Sequence, residues 1–228
     1  IADDLLRSGR KVYLSIGPHE RPPRSYRGKD FVWWFWTLGK WQMKTPRAGK
    51  EHVTIAVSGA HGGGTVDFRK LAARGAVLLG MAEAFDNGVI SIANDLARNI
   101  ADGDANYLGL LAEADAHIDL HRLDLPLEED AKILDPDPDC VKAPIRQIDL
   151  ARQDINSIIW ATGYVQDFSW LRVDAFNADG KPLHDRGVAK ADGIYFLGLP
   201  WLSMRGSSFI WGVWEDAKYL AAWISARS

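Results

Sequence analysis

Lys11-Val12-Tyr13-Leu14-Ser15-Ile16 is a short run rich in β-branched and aromatic residues, and the pattern around it sets the fold class. Residues 1–8 before it have the pattern of a helix that ends at Gly9. Further strands are expected at 53–57, 76–80, 90–92, 155–160 and 193–197, and further helices at 31–38, 66–74, 94–123 and 207–226. Asp30 can cap the helix 31–38, and Asn177–Gly180 has the composition of a hairpin turn. Strands that are apolar and alternate with helices predict an α/β fold whose parallel sheet is covered on both faces.

Charge and cysteine content exclude several classes of protein. The 228 residues include 27 basic and 30 acidic side chains, a formal net charge of -3, whereas nucleic-acid-binding and anionic-membrane-binding proteins usually carry a basic excess. No apolar run reaches the roughly 18 residues that a membrane span needs. Cys140 is the only cysteine, so an internal disulfide and a multi-cysteine zinc site are excluded. A cytoplasmic protein is expected, because a single cysteine fits a reducing compartment.

The loop after the first strand, residues 17–29, carries three prolines and a set of basic side chains: His19, Arg21, Arg24, Arg27 and Lys29. In a dinucleotide-binding βαβ unit, an acidic residue at the end of the second strand binds the ribose, whereas basic residues there favour a 2′-phosphate. No carboxylate stands at this strand end, although Glu20 follows shortly after. Arginine suits phosphate because its planar fork binds oxygens in pairs. Taken alone, however, these residues are more simply interpreted as a solvated basic loop.

Two further segments could meet an anion. The loop Gly59–Thr65 lies between a strand and a helix, but its spacing matches neither the dinucleotide fingerprint nor the P-loop, so a tight turn is the simpler interpretation. Ser207 and Ser208 open the last predicted helix, where free N–H groups favour negative charge. Ordinary helix capping explains two serines there equally well.

One pair of histidines has the spacing of metal ligands on a helix. His117 and His121 are four residues apart, and Asp115, Asp119 and Asp124 lie near them. The glutamate of the zinc-protease pattern is missing, so surface or capping histidines are favoured and no metal is predicted. No nucleophile elbow is present either.

Four segments, in this order, resemble one family. Residues 21–30 followed by Trp33 and Trp34 are similar to the loop after the second strand of an NADP domain, and Ile158–Tyr164 resembles the strand end at which FAD and NADP domains join. Residues 193–201 and 205–216 resemble the last FAD-domain strand and the helix under the flavin. The chain therefore resembles the flavin-containing monooxygenases, and within them a bacterial flavoprotein branch.

This resemblance implies a Rossmann-like fold, with a partial NAD(P)-binding domain and helical insertion at 1–145 and the C-terminal part of an FAD-binding domain at 146–228. It implies FAD and NADPH as cofactors, hydride transfer from NADPH to the flavin, and oxygenation of a small organic substrate. Ser15, Arg21 and Arg24 would then select the 2′-phosphate. The flavin side would be formed by Ala161, Thr162, Gly163, Tyr164, Gly198, Ser207, Ser208 and Phe209. The resemblance identifies no catalytic acid or base and leaves a homo-oligomer open.

Members of this family carry a glycine-rich loop for each pyrophosphate, and neither loop occurs in these 228 residues. We therefore expect a C-terminal part of a longer protein, whose N-terminal part is its partner, and little retained FAD. A flavin-dependent disulfide reductase is a rival, although a single Cys140 opposes it. The other rival is a non-catalytic α/β interaction module or a remnant that has lost its cofactor loops.

Overall fold

A computed structural model describes residues 1–46 and 55–227 of the chain. The helices are α1 Ala2–Arg7, α2 Phe31–Thr37, α3 Phe68–Ala73, α4 Leu96–His121, α5 Asp139–Lys142 and α6 Val213–Ser225. The strands are β1 Val12–Ser15, β2 Ser25–Tyr26, β3 Lys29–Asp30, β4 Val57–Ser58, β5 Gly64–Thr65, β6 Ala76–Leu79, β7 Ala82–Asp86, β8 Val89–Ile92, β9 Gln147–Asp149, β10 His184–Asp185 and β11 Val188–Ala189. The described chain is a mixture of helices and strands, as the sequence predicts, with one small parallel sheet and several antiparallel ones.

The centre of the first part of the chain is the parallel pair β1–β6, in which Val12 aligns with Ala76 and Ser15 with Leu79. Successive side chains of a strand point to opposite faces, and both faces of this pair are covered. One face packs in a core with α4 and α5, formed by Ile16, Ala76, Leu78, Leu96, Ile100 and Val141. The other face packs with β8 and β9 around Leu79, Ile92 and Ile148. This burial on both sides explains the nearly continuous apolar sequence of β1 and β6.

The sheet is smaller than the sequence pattern predicts. Of the described strands, only β1 and β6 run parallel; β7, β8 and β9 form an antiparallel sheet, and the remaining strands pair as two-stranded antiparallel ribbons. The described residues therefore do not form a Rossmann sheet. The expected strand 90–92 lies within β8, and the expected helix 94–123 is found as α4. The expected strand 53–57 begins outside the described residues; in its described part, Ile55 forms an isolated parallel bridge with Glu20 and Val57 begins β4.

Contacts divide the chain into two compact units, Ile1–Trp34 with Val53–Ile159, and Phe35–His52 with Trp160–Ser228. In the second unit, an extended segment around Trp41 to Thr45 pairs with residues 203–206, through Gly206 N–H to the Trp41 carbonyl at 2.9 Å and Arg205 N–H to the Met43 carbonyl at 2.9 Å. The predicted turn at Asn177–Gly180 is also present, since Gly180 N–H donates to the Asn177 carbonyl at 3.0 Å. The assignment of 1–145 and 146–228 to two cofactor domains stays a prediction.

The expected buried strand at Ile155–Trp160 is wrong for the described structure. This segment has no regular secondary structure. Ile155 is half-buried against the core around Leu79, but Ile158, Ile159 and Trp160 are exposed, as are Tyr164 and Val165 just after the segment. A strand needs a neighbouring strand for its backbone hydrogen bonds, and no described strand pairs with this segment. An apolar, β-rich composition is therefore not sufficient evidence for a strand.

Two further predictions at the C-terminal end are corrected. The expected strand 193–197 is reduced to a single bridge between Tyr195 and Val188. The last helix begins at Val213 rather than at Ser207, because residues 205–208 form a separate 3-10 turn. The break follows from a close backbone contact: a Cβ on Gly212 would lie 2.1 Å from the Gly206 carbonyl oxygen. Within the part of the chain that the structure describes, no helix has the length and apolar character needed to cross a membrane.

Candidate functional site

The candidate site lies in the first unit, where β1 ends and the basic loop 17–29 begins. Ser15, the last residue of β1, donates its hydroxyl hydrogen bond to the Gly80 carbonyl at 2.9 Å. Because Gly80 follows β6, this bond ties together the carboxyl ends of the two parallel strands. Ligands of open α/β sheets bind outside the carboxyl ends of parallel strands, and the loop after Ser15 lies at this position.

Arg21 is directed into the protein. Its Nη2 donates to Asp104 Oδ1 at 2.7 Å, and its guanidinium lies 4.5 Å from the centre of the Tyr107 ring. The Arg21 and Asp104 side chains are only 4% and 10% exposed. Asp104 also accepts from Arg69 Nη2 at 2.7 Å, so two guanidinium groups share this carboxylate on α4. Burial alone would lower the pKa of Arg69, but hydrogen bonds to Asp104 and Asp137 outweigh it and raise that pKa.

Arg24 is placed differently. Its guanidinium pairs with Asp30 and lies 5.5 Å from the centre of the Phe31 ring, and the two paired side chains are 27% and 44% exposed. Its backbone N–H donates to the Thr65 hydroxyl at 2.9 Å. A Cβ on Gly63, where φ is +84°, would lie 2.7 Å from Arg24 Nε. The structure therefore brings the basic loop against the glycine loop Gly59–Thr65.

Arg21 and Arg24 differ in how readily each could exchange its carboxylate partner for an anionic ligand. Exposed ion pairs contribute about 0–1 kcal/mol, whereas breaking a buried pair by removing one partner costs about 3–5 kcal/mol. The Arg24–Asp30 pair is closer to the first case and the Arg21–Asp104 pair to the second. Arg24 is thus the predicted phosphate residue that a ligand could recruit at low cost. Ser15, Arg21 and Arg24 stay predictions as ligand-binding residues.

His19 and Arg27, two further basic residues of the loop, are engaged within the protein. His19 Nδ1 donates to the Gly17 carbonyl at 2.9 Å, since a carbonyl oxygen can only accept, and Nε2 lies so close to Gly103 of α4 that a Cβ there would be 2.4 Å away. Arg27 Nη1 donates to Asp115 at 2.8 Å, and its Nε donates to the Pro126 carbonyl at 2.8 Å. These contacts fix the loop on α4.

Asp115 is the centre of a second cluster of charges. It accepts from the Tyr26 hydroxyl at 3.0 Å and forms ion pairs with Arg27 and Lys132. Burial, followed by the hydrogen bond to Asp115, raises the pKa of Tyr26 well above its ordinary value. Burial alone would raise the pKa of Asp115, but the hydrogen bonds from Arg27, Lys132 and Tyr26 lower it overall. The cluster keeps Tyr26 protonated and Asp115 ionised, which is consistent with a role in stabilising the fold.

The predicted flavin-side residues 161–164 belong to the exposed segment described above. Ala161, Thr162, Gly163 and Tyr164 have no regular secondary structure, and Gly163 has φ +86°. Gly198 has φ +78° in an irregular stretch. Their role as flavin contacts stays a prediction.

Ser207, Ser208 and Phe209 lie in and after the 3-10 turn that precedes α6. The Ser207 hydroxyl is buried and accepts from the N–H groups of Ser203 and Met204, both at 3.1 Å. Ser208 is exposed, and the Phe209 ring stacks on Trp211 at 5.0 Å. The first turn of α6 contains the carboxylates of Glu215 and Asp216. These side chains already place negative charge at the helix end that would otherwise attract an anionic ligand.

Among the residues that the structure describes, no third metal-type ligand joins the histidine pair His117 and His121. The rings of His117 and His121 lie 4.2 Å apart, and His117 is also 6.5 Å from Trp34. Burial, and secondarily the neighbouring His121, lowers the pKa of His117. Among the described residues, the group that brings three metal-type ligands within 4.8 Å of one another is instead Asp3, Asp4 and His61, on the surface.

Three residues that matter in the structure had not been selected from the sequence. Asp104 could have been found, because it lies on the apolar stripe of α4 that includes Ile100, Tyr107 and Leu111, where a carboxylate must have a partner. Asp30 was expected to cap a helix, but nothing in the sequence indicates its pairing with Arg24. Buried Asp216, which accepts from the Ser203 hydroxyl at 2.5 Å, has no sequence signal that we can identify.

Comparison with known proteins gives a partial match. Over 73 residues, 32% of this chain, the sequence is 47% identical to a protein of Geobacillus kaustophilus named uncharacterized oxidoreductase CzcO-like. Over a stretch of the same length it is 40% identical to proteins of Bacillus velezensis and Bacillus subtilis named uncharacterized oxidoreductase CzcO. The matched stretch spans about a fifth, 21%, of the length of each relative. No family model matches the chain, and no solved structure matches it.

Proposed function

We propose that this chain forms part of an oxidoreductase that uses NADPH and FAD and resembles the flavin-containing monooxygenases. The similarity to proteins named oxidoreductases carries the redox assignment. The choice of NADPH is supported by Arg24, a partly exposed guanidinium in the loop that follows the carboxyl end of a parallel strand. The wider Rossmann-like fold belongs to the same proposal.

The residues present fit the 2′-phosphate of NADPH. Arg24 offers a planar pair of donors suited to phosphate oxygens. Because Gly63 has no side chain, that guanidinium can lie directly against the glycine loop, and Asp30, with which it forms an ion pair, is itself an anion. Arg21 has the supporting role in this proposal: it holds the loop on α4 through Asp104, so that Arg24 keeps its position.

The residues present do not by themselves fit FAD. Residues 161–164 are exposed and irregular, Ser207 is engaged by Ser203 and Met204, and α6 begins with two carboxylates. FAD is proposed only from the sequence resemblance of 158–164, 193–201 and 205–216 to an FAD-binding domain. We therefore derive no step through the flavin, and oxygenation of a small organic molecule is the outcome that the resemblance favours.

The NADPH assignment is tested by calorimetric titration of the purified chain with NADP⁺ and NAD⁺. We expect NADP⁺ to bind more tightly by about tenfold, equivalent to about 1.4 kcal/mol. Equal affinities would contradict the assignment. The flavin assignment is tested on the Bacillus subtilis relative, which should be purified with bound flavin, whereas this chain should retain little FAD. A colourless relative that does not oxidise NADPH with added FAD would contradict it.

A second candidate, a non-catalytic interaction module, is favoured by one observation. Ile158, Ile159, Trp160, Tyr164 and Val165 expose large apolar side chains along one short segment, as protein-binding surfaces do. Titration with adenosine 2′,5′-bisphosphate, a ligand that carries the 2′-phosphate but needs no pyrophosphate loop, discriminates between the two functions, since an interaction module would not bind it more tightly than adenosine 5′-monophosphate.

A further inference from the structure

The two carboxylate oxygens of Asp30 have separate partners. Oδ1 accepts from the N–H of Val32 at 2.9 Å and so caps the start of α2, while Oδ2 forms the ion pair with Arg24. Asparagine and serine cap helices about as well as aspartate does. The cap can therefore be kept while the negative charge opposite Arg24 is removed.

Arg24 is held in place by contacts other than this ion pair. Its backbone N–H donates to Thr65, and its carbonyl accepts from the N–H of Phe31 at 3.0 Å. The guanidinium lies over the Phe31 ring and beside Gly63. Loss of the Asp30 charge would leave the guanidinium positioned by these contacts but without its anion.

We propose that Asp30 is an internal competitor for Arg24, which a 2′-phosphate must displace, and that it sets how strongly the site prefers a phosphorylated ribose. This inference rests on the proposed NADPH function. A phosphate can engage the guanidinium fork with two oxygens and carries more charge than a carboxylate, so it can replace a single carboxylate oxygen. The nearby Arg21 cannot exchange in the same way, because its carboxylate is buried and shared with Arg69.

The experiment compares the wild-type chain with Asp30→Asn by calorimetric titration with adenosine 2′,5′-bisphosphate and with adenosine 5′-monophosphate. We expect Asp30→Asn to bind the bisphosphate about fivefold more tightly, which is the upper range for one exposed ion pair, and to leave the monophosphate unchanged. The gain should shrink as salt is raised. In the double variant with Arg24→Ala, it should disappear.

Each outcome separates this inference from the proposed function. If the wild type prefers the bisphosphate and Asp30→Asn has the same affinity for it, Asp30 is not a competitor, although the NADPH assignment stands. If neither protein prefers the bisphosphate, the NADPH assignment fails together with the inference. Asp30→Ser keeps the cap with a different side chain and should repeat the result of Asp30→Asn. Thermal unfolding of both variants verifies that α2 is retained.

Discussion

Asp104 Oδ1 accepts from Arg21 Nη2 at 2.7 Å, and this ion pair is almost wholly enclosed between the basic loop and α4. The contact decides how the loop after β1 is interpreted. A residue that the sequence offers as a phosphate ligand is, in the structure, one of two arginines that neutralise a carboxylate on the buried stripe of a helix. The more exposed Arg24 is therefore the better candidate for ligand recognition.

Asp104→Ala should destabilise the chain strongly. The change leaves Arg21 and Arg69 without their shared carboxylate, and removing one partner of a buried pair costs about 3–5 kcal/mol. Urea unfolding followed by tryptophan fluorescence measures the difference. Arg24→Ala is the control and should cost about 1 kcal/mol or less, because its pair is partly exposed. Equal losses for the two variants would mean that the burial of the Asp104 cluster has no energetic consequence.

Gly103→Ala should lower stability even though alanine is the better helix former. The new Cβ would lie 2.4 Å from His19 Nε2, and the resulting displacement should cost about 1–3 kcal/mol. Gly109→Ala, on an open face of the same helix, meets nothing within 4 Å and should instead stabilise by up to about 1 kcal/mol. The midpoint temperature of thermal unfolding should fall for Gly103→Ala and rise for Gly109→Ala. A stabilised Gly103→Ala would show that His19 does not pack against α4.

Acid should weaken the Asp115 cluster. The pKa of Asp115 in the folded chain is below its ordinary value of 3.8, so the stability that this residue contributes is present above that value and is lost as the pH falls through the folded pKa. Asp115→Asn should be less stable than wild type at neutral pH, and the gap should narrow from about pH 4 downward. Urea unfolding across this range provides the measurement. A gap that is constant or widens in acid would contradict the assignment.

The exposed apolar segment should limit solubility. Ile159→Lys places a charge in an uncharged, β-rich run and should raise the concentration that stays soluble by roughly twofold or more. Leu120→Lys is a matched control, since Leu120 is exposed on α4 as a single apolar residue. Centrifugation and light scattering at increasing concentration compare the three proteins. If the soluble concentration rises equally in both lysine variants, the added charge and not this segment determines solubility.

The local sequence pattern is sufficient to predict a helix or strand whose apolar residues lie on a face that is buried in the core. The strands β1 and β6 and the long helix α4 were predicted because their apolar spacing is strong, and the turn at Asn177–Gly180 because its residues favour it. Residues 155–160 and 193–197 have an equally strand-like composition, but a strand requires a partner, and composition carries no information about where a partner lies. The start of α6 was missed because the contact between Gly206 and Gly212 is made by backbone atoms.

The candidate site was predicted in outline from the loop after β1. The sequence does not show which charged side chains form ion pairs. Nothing in the order of residues indicates that Asp104 pairs with Arg21 while Asp30 pairs with Arg24. These ion pairs distinguish Arg21, which is held in the protein, from Arg24, which can exchange Asp30 for a ligand. They also place the glycine loop, which the spacing alone indicates only as a turn, beside Arg24.

The most direct test of the NADPH assignment is calorimetric titration of Arg24→Ala with NADP⁺ and NAD⁺. If Arg24 binds the 2′-phosphate, the affinity for NADP⁺ should fall by about tenfold or more, while that for NAD⁺, which lacks this phosphate, stays within about twofold. Equal losses for the two dinucleotides, or no loss for either, would contradict the account.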